Sequence, residues 1–326
     1  MRKFLCSVLA LLLLTALLPA AAASEAGLVP VGRTVGLELA LDGVYVVKFD
    51  AADALAPARV AGIRLGDRIV CVNGTKVSRS SELREQIEAG HGSDLILRVR
   101  RGGKDMSFTV RPVYTQRAWR IGVYVQDRIA GLGTVTYFDP ETGAFGALGH
   151  GVAGSEAGNP PVCAGVATQT EVVSVRKGAA GAPGELRGSA GQGGILGTIE
   201  QNTDRGLFGH GALGGGAPCV PVAERAEVHT GQAELLCNVS GTEVGRYAIE
   251  IEALSFGAEP CKNLRLRVTD PALLSATGGI VQGMSGSPIL QDGKLIGAVT
   301  HVLVQDPTRG YGIFIENMLA AERDAA

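Results

Sequence analysis

The chain has 326 residues, 46% of them hydrophobic and 19% charged, which excludes an intrinsically disordered chain and a multi-span membrane protein. A net charge of −2 gives no bulk attraction to nucleic acid, so none is expected as a partner. Glycine at 47 residues against 5% aromatics points to short strands and tight turns rather than helical bundles, and the length suits two domains.

Arg2 and Lys3 precede an uncharged run, Phe4 to Ala23, whose leucine-rich part has the length of a signal peptide. Ala21-Ala22-Ala23 before Ser24 offers the small residues a signal peptidase accepts. Residues 1–23 therefore read as a signal peptide or, retained through 4–23, an N-terminal anchor; both predict export. Beyond the leader, Cys71, Cys163, Cys219, Cys237 and Cys261 are an odd number and no disulfide framework. Buried free thiols are expected ahead of a Cys219–Cys237 or Cys237–Cys261 bridge. No Cys-x-x-Cys or His-x-x-x-His spacing predicts a metal site, and no cofactor is expected.

Val35 to Leu41 alternates and reaches Asp42-Gly43, which reads as a hairpin turn before the β-prone run Val44 to Phe49. Ala61 to Gly74 reads as a turn, a strand over Arg68–Val72 and a tight Asn73-Gly74 turn. Ser80 or Ser81 caps a helix with Glu82 in its first turn, Leu83 and Ile87 on one face, and Gly90 as the stop. Leu95, Leu97 and Val99 alternate, Gly102-Gly103 turns the chain, and Met106, Phe108 and Val110 return. The run Ala61–Gly74 resembles the most constant stretch of PDZ domains, and Thr34-Val35-Gly36-Leu37 resembles their carboxylate-binding loop. The resemblance implies an α+β PDZ domain over 28–115. Its peptide groove would run along Val35, Gly36 and Leu37, between Gly36–Leu41 and the helix Glu82–Ala89. A closed module that holds its neighbour without a peptide is the alternative.

Residues 116–326 form the second module, with Thr115–Trp119 as a short linker. Strands are predicted at Ile121–Val125, Gly133–Phe138, Val172–Val175, Ile195–Ile199, Tyr247–Ala253, Leu264–Val268, Ser287–Leu290 and Leu295–Val304. The one helix is Glu316 to Glu322, so a barrel or sandwich follows.

Two stretches carry chemistry. In Gly283-Met284-Ser285-Gly286-Ser287-Pro288 a serine has small neighbours, and a nucleophile needs that room together with backbone N–H groups aimed at the oxyanion. In Gly149-His150-Gly151 a histidine sits between glycines, as suits a general base on a loop. The serine motif, followed by the hairpin through Ile296-Gly297-Ala298-Val299, resembles the nucleophile region of chymotrypsin-fold proteases. By that likeness the N–H groups of Gly283 and Ser285 form the oxyanion hole. Met284 stands where digestive proteases carry an aspartate, which argues against activation by a freed amino terminus.

A closer resemblance joins Tyr137–Gly143, Gly149-His150-Gly151, Asp270-Pro271, Gly279–Pro288 with its continuation to His301, Asp306-Pro307 and Gly310-Tyr311-Gly312. Together these are similar to the stage IV sporulation protein B family of serine peptidases. The resemblance implies a mostly β chain, a PDZ domain followed by a chymotrypsin-like double β-barrel. It further implies His150 as base, Ser285 as nucleophile and Asp270 as the acid that orients the imidazole. The activity implied is that of an exported serine endopeptidase in the forespore intermembrane space. It would cut the extracytoplasmic part of a membrane-anchored regulator of an intramembrane protease, and also itself. Asp139 is a lesser candidate for the acid, His210 for the base, and His301 a pocket or edge-strand residue. The rival readings are a PDZ adaptor on an inactive peptidase-like scaffold and a general quality-control protease.

Overall fold

A computed structural model of the chain describes residues 27–51, 56–152, 162–189, 194–214, 216–257 and 259–325. The leader expected over 1–23 lies outside them. Strand makes up 52% and helix 12%, the mostly β composition that the glycine-rich, aromatic-poor sequence implied.

β1 (Val29–Pro30) leads into β2 (Thr34–Phe49), a 16-residue strand that runs straight through the predicted Asp42-Gly43 hairpin. Asp42 is held by the Arg68 guanidinium and the Tyr45 hydroxyl, and Gly43 lies against the Arg68 side chain. The pair forms a bulge, seen as a register shift against the neighbouring strand between Ala40 and Tyr45. Beyond the bulge β2 pairs with β3 of the PDZ unit, Val44 opposite Ile69. That unit contains α1 (Pro57–Val60), β3 (Arg68–Val72), β4 (Thr75–Lys76), α2 (Ser80–Ala89), β5 (Leu95–Arg101) and β6 (Lys104–Val110). Its core gathers Val44, Val46, Ile69, Leu83, Ile87 and Leu97, the alternating and helical-face residues read from the sequence.

The hairpin β7 (Val113–Thr115) and β8 (Ala118–Arg120) leads to β9 (Val123–Phe138), which fuses the two strands predicted at 121–125 and 133–138. The first barrel adds β10 (Ala144–Ala147), β11 (Val162–Gln169), β14 (Ile195–Thr203) and β15 (Gly206–Gly211), with the hairpin β12 (Val172–Arg176) and β13 (Glu185–Gly188) between. The order β9-β10-β15-β14-β11-β2 closes on itself through β2–β9 pairing.

The second barrel comprises β16 (Gly231–Cys237), β17 (Gly245–Leu254), β18 (Leu264–Val268), β19 (Pro288–Gln291), β20 (Lys294–Val302) and β21 (Arg309–Phe314). It closes as β16-β17-β18-β21-β20-β19, with α3 (Pro271–Thr277) entering the β18–β19 connection. The C-terminal α4 (Ile315–Ala325) buries Met318 with Tyr137 and Phe208 of the first barrel and Ala298 and Ile313 of the second. That shared cluster fixes the barrels against each other.

The two domains are thus not consecutive. Thr34–Ala40 pairs with β9 on one side and, over Val35–Ala40, with β11 on the other, so the residues before the bulge are barrel strand. Of the PDZ domain expected over 28–115, Thr34–Ala40 serves as barrel strand, so the PDZ core is inserted in the first barrel. The proposed carboxylate loop and groove at Val35, Gly36 and Leu37 are accordingly misplaced. Both edges of that stretch are taken by strands of the barrel itself. Cys71, Cys219, Cys237 and Cys261 are free thiols, and burial pushes that of Cys237 up to about 12.

Candidate active site

The loop that carries Ser285 runs from α3 into β19. Gly283 and Gly286 adopt φ of +98° and +94°, conformations that other residues reach only under strain. At Gly286 there is no space either: an added Cβ would lie 2.0 Å from the Thr134 carbonyl oxygen. Met284 is fully buried beneath the turn and Ser287 is fully buried beyond it, which removes Ser287 as a nucleophile. Ser285 is half-buried, and its hydroxyl donates to the Thr300 carbonyl at 2.8 Å. Among the described residues the N–H groups of Gly283 and Ser285 have no acceptor. Two neighbouring free donors at a half-buried turn suit a developing oxyanion.

His150 arrives from the opposite barrel. After β10, Leu148 and Gly149 both take positive φ, +69° and +68°, and turn the chain toward the second barrel. Gly149 is required for the approach, since a Cβ there would meet Ile313 and Thr300 at 2.9 and 3.0 Å. His150 Nδ1 lies 2.9 Å from the Gly151 carbonyl oxygen. A carbonyl only accepts, so Nδ1 carries the proton and Nε2 is left with its lone pair free. Burial holds the His150 pKa below 6.5, against a smaller opposing effect of the Gly151 bond. The imidazole is therefore neutral at pH 7, as a proton acceptor must be.

Both residues line one cavity of about 490 Å³ between the barrels. Leu37, Leu39, Ile129 and Leu132 form its first-barrel wall, with Val281, Val302 and Val304 across from them. Leu37, expected in a PDZ groove, thus lines the cleft shared by His150 and Ser285. His301 is there too, its ring centroid 4.9 Å from that of His150. Burial, then the neighbouring His150, bring the His301 pKa down to about 4. The Ser285 hydroxyl is engaged with the Thr300 carbonyl rather than with the imidazole.

Asp270 is placed elsewhere. Its Oδ1 accepts from the N–H groups of Ala272 and Leu273 at 2.8 and 3.1 Å, and Oδ2 from Ala248 at 3.3 Å. With Pro271 behind it, it is the N-cap of α3. Those backbone bonds, the Leu273 N–H foremost, hold its carboxyl below the usual carboxylate range. Among the described residues no carboxylate bonds to His150; the Gly151 carbonyl fills the position expected of Asp270. Asp139 caps its own turn through Glu141 N–H and Thr142, and His210 pairs with Glu200 on the surface, so neither is at the site. If Asp270 acts as a cap, Asp270→Asn keeps full activity and Asp270→Ala keeps it wherever the fold survives. The cap predicts about 1 kcal/mol of destabilisation for Ala and little for Asn. An orienting charge would instead cost about ten-thousand-fold in kcat with Asn. Turnover and melting of both variants decide between them.

A residue not singled out from the sequence joins the two halves. Thr134 of β9 is fully buried. Its N–H donates to the Ser285 carbonyl at 2.9 Å and its hydroxyl to the Gly283 carbonyl at 2.7 Å. Its own carbonyl accepts from Leu148 N–H at 3.2 Å, two residues before His150. Thr136 repeats the contact, donating to Gly286 at 2.8 Å. Two threonines at strand spacing in Thr134-Val135-Thr136 were the available signal. Thr134→Val keeps shape and backbone bonds but frees the Gly283 carbonyl. It is expected to lower kcat by about a hundredfold with KM little changed, as measured by steady-state kinetics.

The model of the SpoIVB peptidase S55 family matches residues 117–319, and that of the PDZ domain matches 32–111. A protein of Lactococcus lactis, LL2128, named as a zinc metalloprotease, is 35% identical over 89 residues, covering 27% of this chain and 19% of its own length. Zinc metalloprotease RasP of Geobacillus kaustophilus is 33% identical over 82 residues, 24% of this chain and 20% of its own. The chain thus spans about a fifth of these relatives. Among solved structures, the protease Rv3671c of M. tuberculosis in its active form is 16% identical with a TM-score of 0.36, covering 61% of this chain and 74% of its own. Its inactive Ser343Ala mutant gives the same TM-score over 60% and 81%.

Proposed function

The chain belongs to the SpoIVB peptidase S55 family and carries a PDZ domain, and from that premise we propose that it is a serine endopeptidase that cuts an extracytoplasmic segment of a membrane-anchored regulator during sporulation. The observation that supports this chemistry is the meeting of His150 and Ser285 in one cleft, beside two unengaged N–H donors. In the proposed mechanism Ser285 Oγ leaves Thr300, gives its proton to His150 Nε2 and attacks the scissile carbonyl. The Gly283 and Ser285 N–H groups hold the resulting oxyanion. The Gly151 carbonyl keeps Nδ1–H in place as the imidazolium forms. His150 then protonates the leaving amine, and water releases the acyl group by the same steps reversed. The apolar walls of the cleft favour substrates with apolar side chains beside the cut bond.

Export of the chain to the forespore intermembrane space, anchored or freed by cleavage after the leader, belongs to the same proposal, as does self-cleavage. Mass spectrometry of products tests it. The purified chain, incubated with the extracytoplasmic domains of membrane regulators from the same cells, should give cuts at few sites and cut itself near its N-terminus. Extensive digestion of unfolded casein with no preferred site would instead support the quality-control reading.

A further inference from the structure

PDZ domains take a peptide as an added strand on the sheet edge beside their helix. Here that edge is β2 beyond the bulge, since its other side is taken by β3. The edge is not open. β9 lies along it antiparallel, with Phe49 opposite Val123, Val46 opposite Val125 and Tyr45 opposite Gln126. Ile121 is buried with Leu83 and Ile87 of α2, and Val123 and Val125 pack on the same core, while Tyr124 between them is half exposed. That is the alternation of a strand with one face in a groove.

The helix clips the segment at both ends. Asp127 accepts from the Ser80 N–H at 2.9 Å at the start of α2, and the Trp119 N–H donates to Glu88 at 3.0 Å near its end. A cavity of about 500 Å³ along the helix side leaves the segment partly accessible. The same strand then continues to Thr134, about 23 Å further on at strand rise, where it holds the Ser285 loop and the turn before His150.

We propose that the PDZ groove is a strand-addition site filled in cis by Ile121–Asp127, and that its partner is an extended peptide carrying branched apolar residues at alternate positions and an acidic side chain after them. Such a peptide enters only by displacing the chain's own segment. Since β9 is one strand, displacement loosens its hold on the catalytic loop. The site recognises an internal strand rather than a free C-terminus, because β9 runs on past Asp127 into the barrel.

The probe is a fluorescein-labelled synthetic peptide of residues 119–127, titrated by polarisation into the full chain and into Trp119→Ala/Asp127→Ala, in which the chain's own segment loses the Trp119 side chain from the PDZ core and the Asp127 carboxylate from Ser80 while its backbone bonds remain. The double variant should bind at least about tenfold more tightly, because a larger fraction of its grooves is open. Equal affinity for both, or binding to neither, overturns the occupancy. If the variant fails to fold, amide exchange of the wild-type chain decides. Protection of residues 123–126 comparable to that of 134–137 supports occupancy, and exchange as fast as at Gly102-Gly103 overturns it. Coupling is read from the Leu148 amide, bonded to Thr134. Its exchange should rise at least about tenfold when the segment is displaced, by saturating peptide or by the double variant. No change there overturns the coupling. Neither readout requires hydrolysis, so their failure leaves the peptidase reading standing.

Discussion

Ser285→Ala is expected to lower turnover by about a million-fold and to abolish fluorophosphonate labelling, leaving only what positioning and the oxyanion donors provide. The size of the effect follows from Ser285 having the one usable hydroxyl of the site among the described residues. Ser287 is fully buried and Thr300 turns its hydroxyl to the Cys261 carbonyl at 2.6 Å. Neither can replace Ser285. The fold should be almost unaffected, since the lost hydroxyl makes a single bond to Thr300, about 1 kcal/mol. Labelling, hydrolysis of a peptide substrate and thermal melting on the same preparation separate the two consequences. A variant that melts normally and still labels would remove Ser285 from the nucleophile's role.

His150→Ala should cost a comparable factor, about a million-fold in kcat, and the native enzyme should reveal the same imidazole in its pH profile. The base acts in its neutral form, and burial lowers its pKa from the ordinary 6.5. Activity is therefore lost only as pH falls through that depressed value, so the acid limb of kcat/KM has its midpoint below 6.5. A carboxylate on Nδ1 would act in the opposite direction by favouring the imidazolium. A midpoint above 6.5 would thus show that an acid reaches His150 in the working enzyme, and the Gly151 carbonyl would lose its assigned part. The profile bears on the same question as the Asp270 variants, by a route that does not perturb the fold.

Asp270 shows how one short sequence can carry two physical readings. Asp-Pro at a strand end is both a place for a carboxylate and a helix start, with the side chain as N-cap and proline in the first turn. The short α3 was not predicted, because its seven residues are too few for a periodic pattern. The choice between the readings lies in where the carboxylate finds donors, and the backbone of α3 is nearer than any imidazole. Asp42-Gly43 failed for a related reason. Its hairpin preference is local, and Arg68 with Tyr45 binds the aspartate in a bulge instead. Gln126-Asp127-Arg128, beyond the predicted strand end at Val125, lies within β9, with Asp127 bonded to the start of α2.

The sequence by itself determined the local backbone demands. Glycines around Ser285 and His150 are demanded by turns of positive φ and by close approach, requirements set within a few residues and so readable from a few residues. It also determined the mostly β class and the PDZ elements, whose apolar spacing is a property of each strand or helix alone. Only the tertiary structure decided that β2 and β9 each serve two units, that a threonine on one barrel holds the serine loop of the other, and which carbonyl faces the imidazole. Those outcomes depend on which strand edges and polar groups find partners across long separations. Hydrogen-bond satisfaction of that kind is settled by the assembled barrels and leaves no periodic trace along the chain.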